Sequence, residues 1–483
     1  MALTRRTFLL ATGSVPAVLA AADGWPGRDR WERLRRRLSG PLFRPADAGY
    51  ETARQGFMAL YDQRPAAVAR CLRGEDVQRC VEFAAAHRIP ISARSGGHSY
   101  AGYSTVDGGL VVDLSRLNAV RVGRDGRAEI GPGARLGPIY AALGGAGRLL
   151  PAGTSPVVGI AGLALGGGIG VLARKYGLTC DRLVAARLVT ADGRLHTVSA
   201  ESEPDLLWAL RGGGGGNFGI VISFTFDTAP ALGLSVFELE FPPAAMAALL
   251  AVWPAWQQAM PDELWTNCGL AADRVVAGGC FVGPAAKLRP MVDELVRRVG
   301  TPPVKRAEVE KDYLATMTHY AGCADLGGPS CAPSWNGGGG AIARGSYVAA
   351  SRMLRRPFTD PDAVARLFGG DPELYTIMDG FGGAIAEVGP AESAFPHRDV
   401  LASIQVLHGV APVPGGEAAA RRAVGVVRDG LGEDAGTTGY VNYIDPEMPD
   451  WARAYYGRNL PRLRAVARRY DPDRLFAFPQ GVD

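Results

Sequence analysis

Apolar and polar positions change period several times along this chain, and each change predicts an element. Residues 67–72 form a short apolar run of strand type, and within 75–87 Val77, Val81 and Ala84 are spaced for one face of a helix. A second apolar run at 89–93 leads directly into a glycine loop at 95–99. Strands are expected next at 110–114 and 128–130, and a helix at 136–142. From about Val221 the pattern alternates, with strand-like runs at 220–226 and 234–241 followed by mixed helical and strand segments to about 435. Such a pattern predicts a second unit built on an antiparallel sheet backed by helices. The tail from Tyr440 is aromatic and basic, with a helix over 461–469, and is too short to fold alone; it is expected to pack back onto the first unit. The expectation is an α+β protein divided into a leader (1–22), a linker (23–62), a first domain (63–228), a second domain (229–436) and a closing segment (437–483).

Composition narrows the classes. A chain of 483 residues with 47% hydrophobic content can bury a large core in two or three domains. Lys and Arg number 52 against 48 Asp and Glu, with no long basic run beyond the N-terminal region, which argues against nucleic acid as a partner. The basic stretch 28–37 reads as a solvated helix. After the leader no segment is apolar and long enough to suggest a membrane partner. The leader itself, Thr4-Arg5-Arg6-Thr7-Phe8-Leu9-Leu10 followed by apolar and small residues to Ala22, predicts export by the twin-arginine (Tat) machinery to a bacterial periplasm or beyond. That route carries folded proteins, so a cofactor inserted beforehand would travel with its protein. Seven cysteines show no zinc-site spacing, and no metal is expected; Cys71 with Cys80, and Cys323 with Cys331, are the candidate disulfides.

The 65 glycines cluster where backbone must turn or approach a ligand closely. Gly214, Gly216 and Gly219 formally match G-x-G-x-x-G, but a helix-like segment precedes them and a strand follows, the reverse of what a dinucleotide fingerprint needs. Three segments instead resemble backbone cradles for phosphate. They are Arg94, Ser95, Gly96, Gly97, His98 and Ser99; Gly153, Thr154 and Ser155 through Gly159, Gly162, Ala164, Gly166, Gly167 and Gly168 to Gly170; and Gly216, Asn217, Gly219 and Ile220. Consecutive small residues let several amide N–H groups converge on an anion.

The loop 94–99, the stretch 166–177 with Arg174-Lys175-Tyr176, Phe395-Pro396-His397-Arg398 and Tyr440-Val441-Asn442-Tyr443 occur here in an order that resembles the berberine-bridge-enzyme-like family. The likeness covers nearly the whole chain after the leader. It implies a PCMH-type FAD-binding domain, made of the N-terminal part plus the tail, with a substrate domain between. It also implies that His98 bonds the flavin 8-methyl carbon, a nucleophilic role open to an imidazole that loses its proton to a neighbour. Many members carry a second link through a cysteine before a proline. Ser155 stands in that place before Pro156, so a single covalent bond is expected.

The resemblance further implies hydride transfer from an alcohol, sugar or secondary-metabolite hydroxyl to FAD. Tyr443 is the expected base. Lowering a tyrosine from about 10 toward 7 requires about 4 kcal/mol of preferential phenolate stabilisation. If 440–443 is a strand, Tyr440 and Asn442 share the face opposite Tyr443. Gln405 is the polar residue expected over the flavin, and Ser403 stands where some relatives carry lysine. Glu387 is assigned a structural place, His397 and Arg398 the domain junction, and Trp335 beside 337–340 the pocket mouth. Ala164, at a position where side-chain size in relatives controls oxygen access, favours molecular oxygen as acceptor. The competing readings are a dehydrogenase with another acceptor and an exported carbohydrate-binding protein with a degenerate flavin site.

Overall fold

The computed structural model describes residues 28–482, so the twin-arginine motif lies outside the described residues. Residues 28–62 are not a linker. Trp31 and Leu34, one helical turn apart, form the apolar stripe of the arginine-rich helix Arg28–Arg37 and lie on the helix Gly74–His87, where Trp31 meets Phe83 at 4.9 Å between ring centroids. The strand Leu42–Phe43 then pairs antiparallel with Ala67–Arg70. A helix with two apolar residues among eight arginines and acids reads as solvated until its partner is known.

Two larger sheets and a two-stranded one, Arg148–Leu149 with Ala229–Pro230, make up the first unit. In the four-stranded one, Leu110–Asp113 lies between Ala67–Arg70 and Ile91–Arg94, parallel to both. Parallel strands covered on both faces carry near-continuous apolar residues, as Leu110, Val111 and Val112 do. The five-stranded sheet is antiparallel, with Ile220–Asp227 at its centre between Arg127–Ile130 and Leu183–Val189. The alternation from Val221 does not open the second unit: the strand there completes the first, inside the expected bound at 228, and the second sheet begins at Leu234–Phe241. Alternation misled here because both antiparallel sheets share it.

The second sheet has seven antiparallel strands in the order Lys305–Lys311, Leu234–Phe241, Val275–Val282, Leu264–Ala271, Leu374–Gly380, Ala402–Gly409 and Tyr347–Leu354. Its even-numbered residues Met378, Ile404, Val406 and Ala350 pack with Leu249 and Trp253 of the helix Met246–Ala259, Leu288 and Val292 of Ala285–Val299, and Val424 of Gly416–Gly430. With side chains alternating along each strand, the odd-numbered Asp379, Ser403, Gln405 and Ser351 share the other face, toward the first unit.

The tail returns as expected: Leu463, Val466, Ala467 and Tyr470 of the helix Leu460–Tyr470 enter the core of the first unit. At the junction Arg398, 1% exposed, donates to both carboxylate oxygens of Asp181 at 2.8 and 2.7 Å, and His397 Nε2 sits 3.1 Å from the Tyr455 carbonyl oxygen. Arg174 donates from the first unit to the carbonyls of Gln257, Met260 and Phe381. Cys323 and Cys331 form a disulfide, whereas Cys71 and Cys80 are buried free thiols in contact, the Cys71 thiol pushed up by its hydrogen bond with Cys80 and by burial. Removing one member of a buried bidentate pair leaves the other charge unmatched. Arg398→Ala is expected to lower unfolding free energy by roughly 3–5 kcal/mol in urea titrations followed by tryptophan fluorescence.

Candidate active site

A cavity of about 360 Å³ opens within the first unit and its returning tail, lined from within the stretches 95–100, 103–106, 158–165, 214–221, 441–444 and 476–480. That is the size range of ligand pockets, and its walls are mostly apolar. Backbone contact between two loops shapes one wall. A Cβ on Gly96 would collide with the Gly159 backbone, and one on Gly159 with Ser95 and Gly96. Only glycine at both positions lets the loops meet, which brings His98 beside the Val157 backbone, where the two hydrogen-bond.

Glycines of the second cradle divide into two kinds. A Cβ on Gly162 would touch nothing within 4 Å, because that face of the helix Ile160–Gly166 is open to the cavity. Gly166, Gly167, Gly168 and Gly170 do not line the cavity; a Cβ there would collide with Asn442, approach Phe395 and Tyr440, or collide with Thr179 and with Ala152 respectively. They are packing glycines and not phosphate cradles. Gly153, Thr154 and Ser155 also lie off the cavity; Gly153 gives its carbonyl to the Tyr140 hydroxyl. Ala164 is fully buried in the core of the first unit, so it does not border an oxygen pocket. Arg94 is likewise behind the wall, donating to Asp113 at 3.0 Å, to the Arg54 carbonyl at 3.0 Å and to the Ala53 carbonyl. Ser95, Gly96, Gly97, His98, Ser99, Gly159, Gly162, Asn217, Gly219, Ile220 and Asn442 do line the cavity.

His98 stacks on Phe57 with centroids 4.0 Å apart and rings 11° from parallel, and its Nε2 is shut from solvent without a partner. Burial, reinforced by the nearby Arg135 charge, depresses its pKa to about 3 against the opposing hydrogen bond that the ring gives to the Val157 backbone. The imidazole is therefore neutral at working pH. Gln480 presents a second unpartnered buried acceptor, Oε1, in the cavity wall, while its Nε2 donates to the Asp445 carbonyl at 2.9 Å. Sequence reasoning missed Gln480 together with the whole 476–480 wall.

Residues 441–443 form a 3-10 turn, not a strand, so alternation does not apply. Asn442 and Tyr443 both face the cavity. Tyr440 lies behind them, its hydroxyl accepting from the Gly168 amide and from Asn442 Nδ2, each at 2.7 Å; Asn442 also donates to the Leu163 carbonyl at 2.9 Å. Tyr440 therefore positions the turn. Gln405 is set back too, donating at 2.7 Å to the hydroxyl of Tyr100, whose ring lies parallel to that of Tyr443 with 6.0 Å between centroids. Trp335 is 2% exposed, so it is a buried wall and not a mouth.

The expected lowering of Tyr443 is not found. Burial pushes its hydroxyl well above 10, and Asp379, Tyr100, Tyr440 and Tyr347 add to the rise. The group tuned to neutrality is Asp379, which sequence reasoning overlooked: burial raises its carboxyl to about 7. It faces Ser403 directly across the strand pair and exerts its charge on Tyr443 and Tyr100. A lone acid ending an apolar strand, Leu374–Gly380, was the available signal.

The comparisons agree with this geometry. An FAD binding domain family matches residues 65–199 and the berberine and berberine like family matches 439–483. The chitooligosaccharide oxidase of Gibberella zeae is 32% identical over 434 residues, 86% of this chain and 87% of its own. The chain belongs to the berberine-bridge-enzyme-like family of FAD-linked oxidoreductases. Among solved members of that family, Physcomitrella patens BBE-like 1 superposes with a TM-score of 0.87 at 29% identity, covering 94% of this chain and 98% of its own. The glucooligosaccharide oxidase of Acremonium strictum does so at 0.83 and 28%, covering 92% and 97%, and is described with a 6-S-cysteinyl, 8α-N1-histidyl FAD. FAD is thus the cofactor of this fold, and the present residues fit it: two buried acceptors without partners, on His98 and Gln480, and a glycine face left open at 162.

The two kinds of glycine make opposite predictions on one short helix. Gly162→Ala is expected to fold normally and bind FAD more weakly, since its methyl enters the cavity. Gly166→Ala, which drives against Asn442, is expected to lower the melting temperature of the protein whether or not flavin is bound. Calorimetry and flavin titration separate the outcomes.

Proposed function

We propose that this berberine-bridge-like enzyme oxidises a hydroxyl-bearing carbon of a carbohydrate, passes the electrons to molecular oxygen with release of hydrogen peroxide, and holds FAD by a single bond from His98. The observation that carries the reading is a neutral imidazole with an unpartnered Nε2 in the cavity wall, and, behind the Tyr443 of the same cavity, a carboxyl tuned to about 7. FAD bound here supplies the hydride acceptor. Similarity to oligosaccharide oxidases supports the sugar and the oxygen; the Ala164 argument for oxygen does not, since that side chain is buried away from the cavity. Support for a single link comes from the cavity itself, where no cysteine is found and Ser155 lies off the wall.

Asp379, whose charge is felt at Tyr443 although it does not itself line the cavity, takes the substrate hydroxyl proton as hydride leaves. Near neutrality a carboxyl of pKa about 7 is ionised in about half the molecules and still basic enough to accept. Tyr443 stays protonated and orients the hydroxyl, since ionising it beside Asp379 would place two negative charges in one buried site. Tyr100, held by Gln405, forms the facing aromatic wall. Export by the twin-arginine route, with flavin attached beforehand, completes the proposal; its motif is Arg5 and Arg6. Among the described residues no helix is long and apolar enough to cross a membrane.

Two measurements test this. Acid-precipitated protein should stay yellow, His98→Ala should release its flavin, and peroxide should appear with oligosaccharides; colourless wild-type precipitate would refute the bond. Because only the ionised carboxylate accepts a proton, flavin reduction should slow as pH falls through about 7. Asp379→Asn should abolish that inflection and slow reduction by about 10²–10⁴-fold in stopped flow.

A further inference from the structure

We propose that residues 322–346, a loop of the second unit, form a clamp that sets His98 for covalent attachment of flavin, with Trp335 and Asn336 as its positioning residues. The proposal rests on His98 being the attachment site. The disulfide Cys323–Cys331 closes the base of the loop, and Leu326 and Cys331 are buried in a core cluster that both units share, with the Leu326 carbonyl against Gly137, so the loop is anchored at the junction. At its tip the Trp335 ring stands 5.8 Å from the His98 ring at 63°, and 5.3 Å from Phe57.

The second wall of the imidazole belongs to the same device. Phe57 stacks on His98, and its backbone is tied to the end of the loop: Gly345 donates to the Phe57 carbonyl at 3.1 Å, Ala59 to the Gly345 carbonyl at 2.7 Å, and Arg344 to the Gly56 and Met58 carbonyls at 2.8 and 3.2 Å. One loop therefore fixes both aromatic surfaces that confine the ring. A third tie runs to the base of the His98 loop. Asn336, in the left-handed region at φ 53°, accepts from Arg70 at 2.6 Å and donates at 3.0 Å to Asp113, the partner of Arg94. Simple packing would not require a residue in that strained conformation to join these charges.

Attachment needs a fixed ring. A ring nitrogen of His98 bonds the flavin 8-methyl carbon, the methyl C–H and the imidazole N–H are given up as two protons, and two electrons pass through the flavin to molecular oxygen, giving hydrogen peroxide. A ring free to rotate about its side-chain bonds would seldom meet the methyl carbon in line.

The test compares wild type, Trp335→Ala, Trp335→Phe and Asn336→Gly, each produced with FAD present. Total flavin is read from absorbance, and covalent flavin from the mass of the denatured chain and the fluorescence kept after acid precipitation. Trp335→Ala is expected to bind FAD yet hold about ten-fold less of it covalently, and Trp335→Phe to recover most of the loss. Asn336→Gly, which suits the backbone and removes both ties, should fall in the same direction and decides the matter if Trp335→Ala fails to fold. Wild-type covalent stoichiometry in Trp335→Ala, or in Asn336→Gly where that variant decides, overturns the clamp. Wild-type protein whose flavin is bound but wholly extractable overturns the His98 attachment itself.

Discussion

One buried carboxylate, Asp113, holds the site together. It is fully enclosed, yet the Arg94 guanidinium and the Ser115 hydrogen bonds outweigh the effect of burial and hold it down to about 2. Ser115 and Asn336 donate to it at 2.9 and 3.0 Å, and Arg70 lies at 3.6 Å. An isolated carboxylate in such a place would cost several kcal/mol, and a full set of donors plus one buried cation offsets this. Because its folded pKa is depressed, its stabilisation is complete above the unfolded value near 3.9 and is lost as pH falls through about 2. Throughout the neutral range, then, three segments distant in sequence share a charged anchor: the central parallel strand, the start of the His98 loop and the tip of the 322–346 loop.

Elsewhere burial acts without a counter-charge, and the consequences are chemical. The same loss of water that Asp113 resists drives His98 to its neutral form and Asp379 toward its protonated one. A nucleophile needs the first and a proton acceptor working near neutrality needs the second. The protein thus obtains two differently tuned groups from burial, which the Arg135 charge reinforces at His98 and which no arginine opposes at Asp379.

Much of this was legible in the sequence, and the failures share a cause. Glycine spacing located the walls, because runs such as Ser95-Gly96-Gly97 serve few purposes besides turning or close approach. It could not tell Gly162, open to the cavity, from Gly166, pressed on Asn442, since the difference lies in a neighbour 276 or more residues away. Tyr440-Val441-Asn442-Tyr443 was found by likeness, but its faces could be assigned only on the condition of a strand, and the 3-10 turn places Asn442 with Tyr443 and puts Tyr440 behind. The helix Arg28–Arg37 was hidden by its arginines. In each case local pattern named the element and a long-range contact assigned its work.

Asp379 shows how far a single position on the facing strand can set the chemistry. Ser403 lies directly across the strand pair from it, and the serine hydroxyl has no partner, so nothing there draws the carboxyl down. A lysine at 403 would bring an ammonium within reach of Asp379, fix it as a carboxylate and lower its basicity, while easing ionisation of the nearby Tyr443. With serine the balance runs the other way: the tyrosine keeps its proton and the carboxyl rises to about 7. Two arrangements of the same aromatic and acidic pair are therefore open to this sheet, and the identity of residue 403 selects between a tyrosine poised to ionise and an aspartate poised to accept.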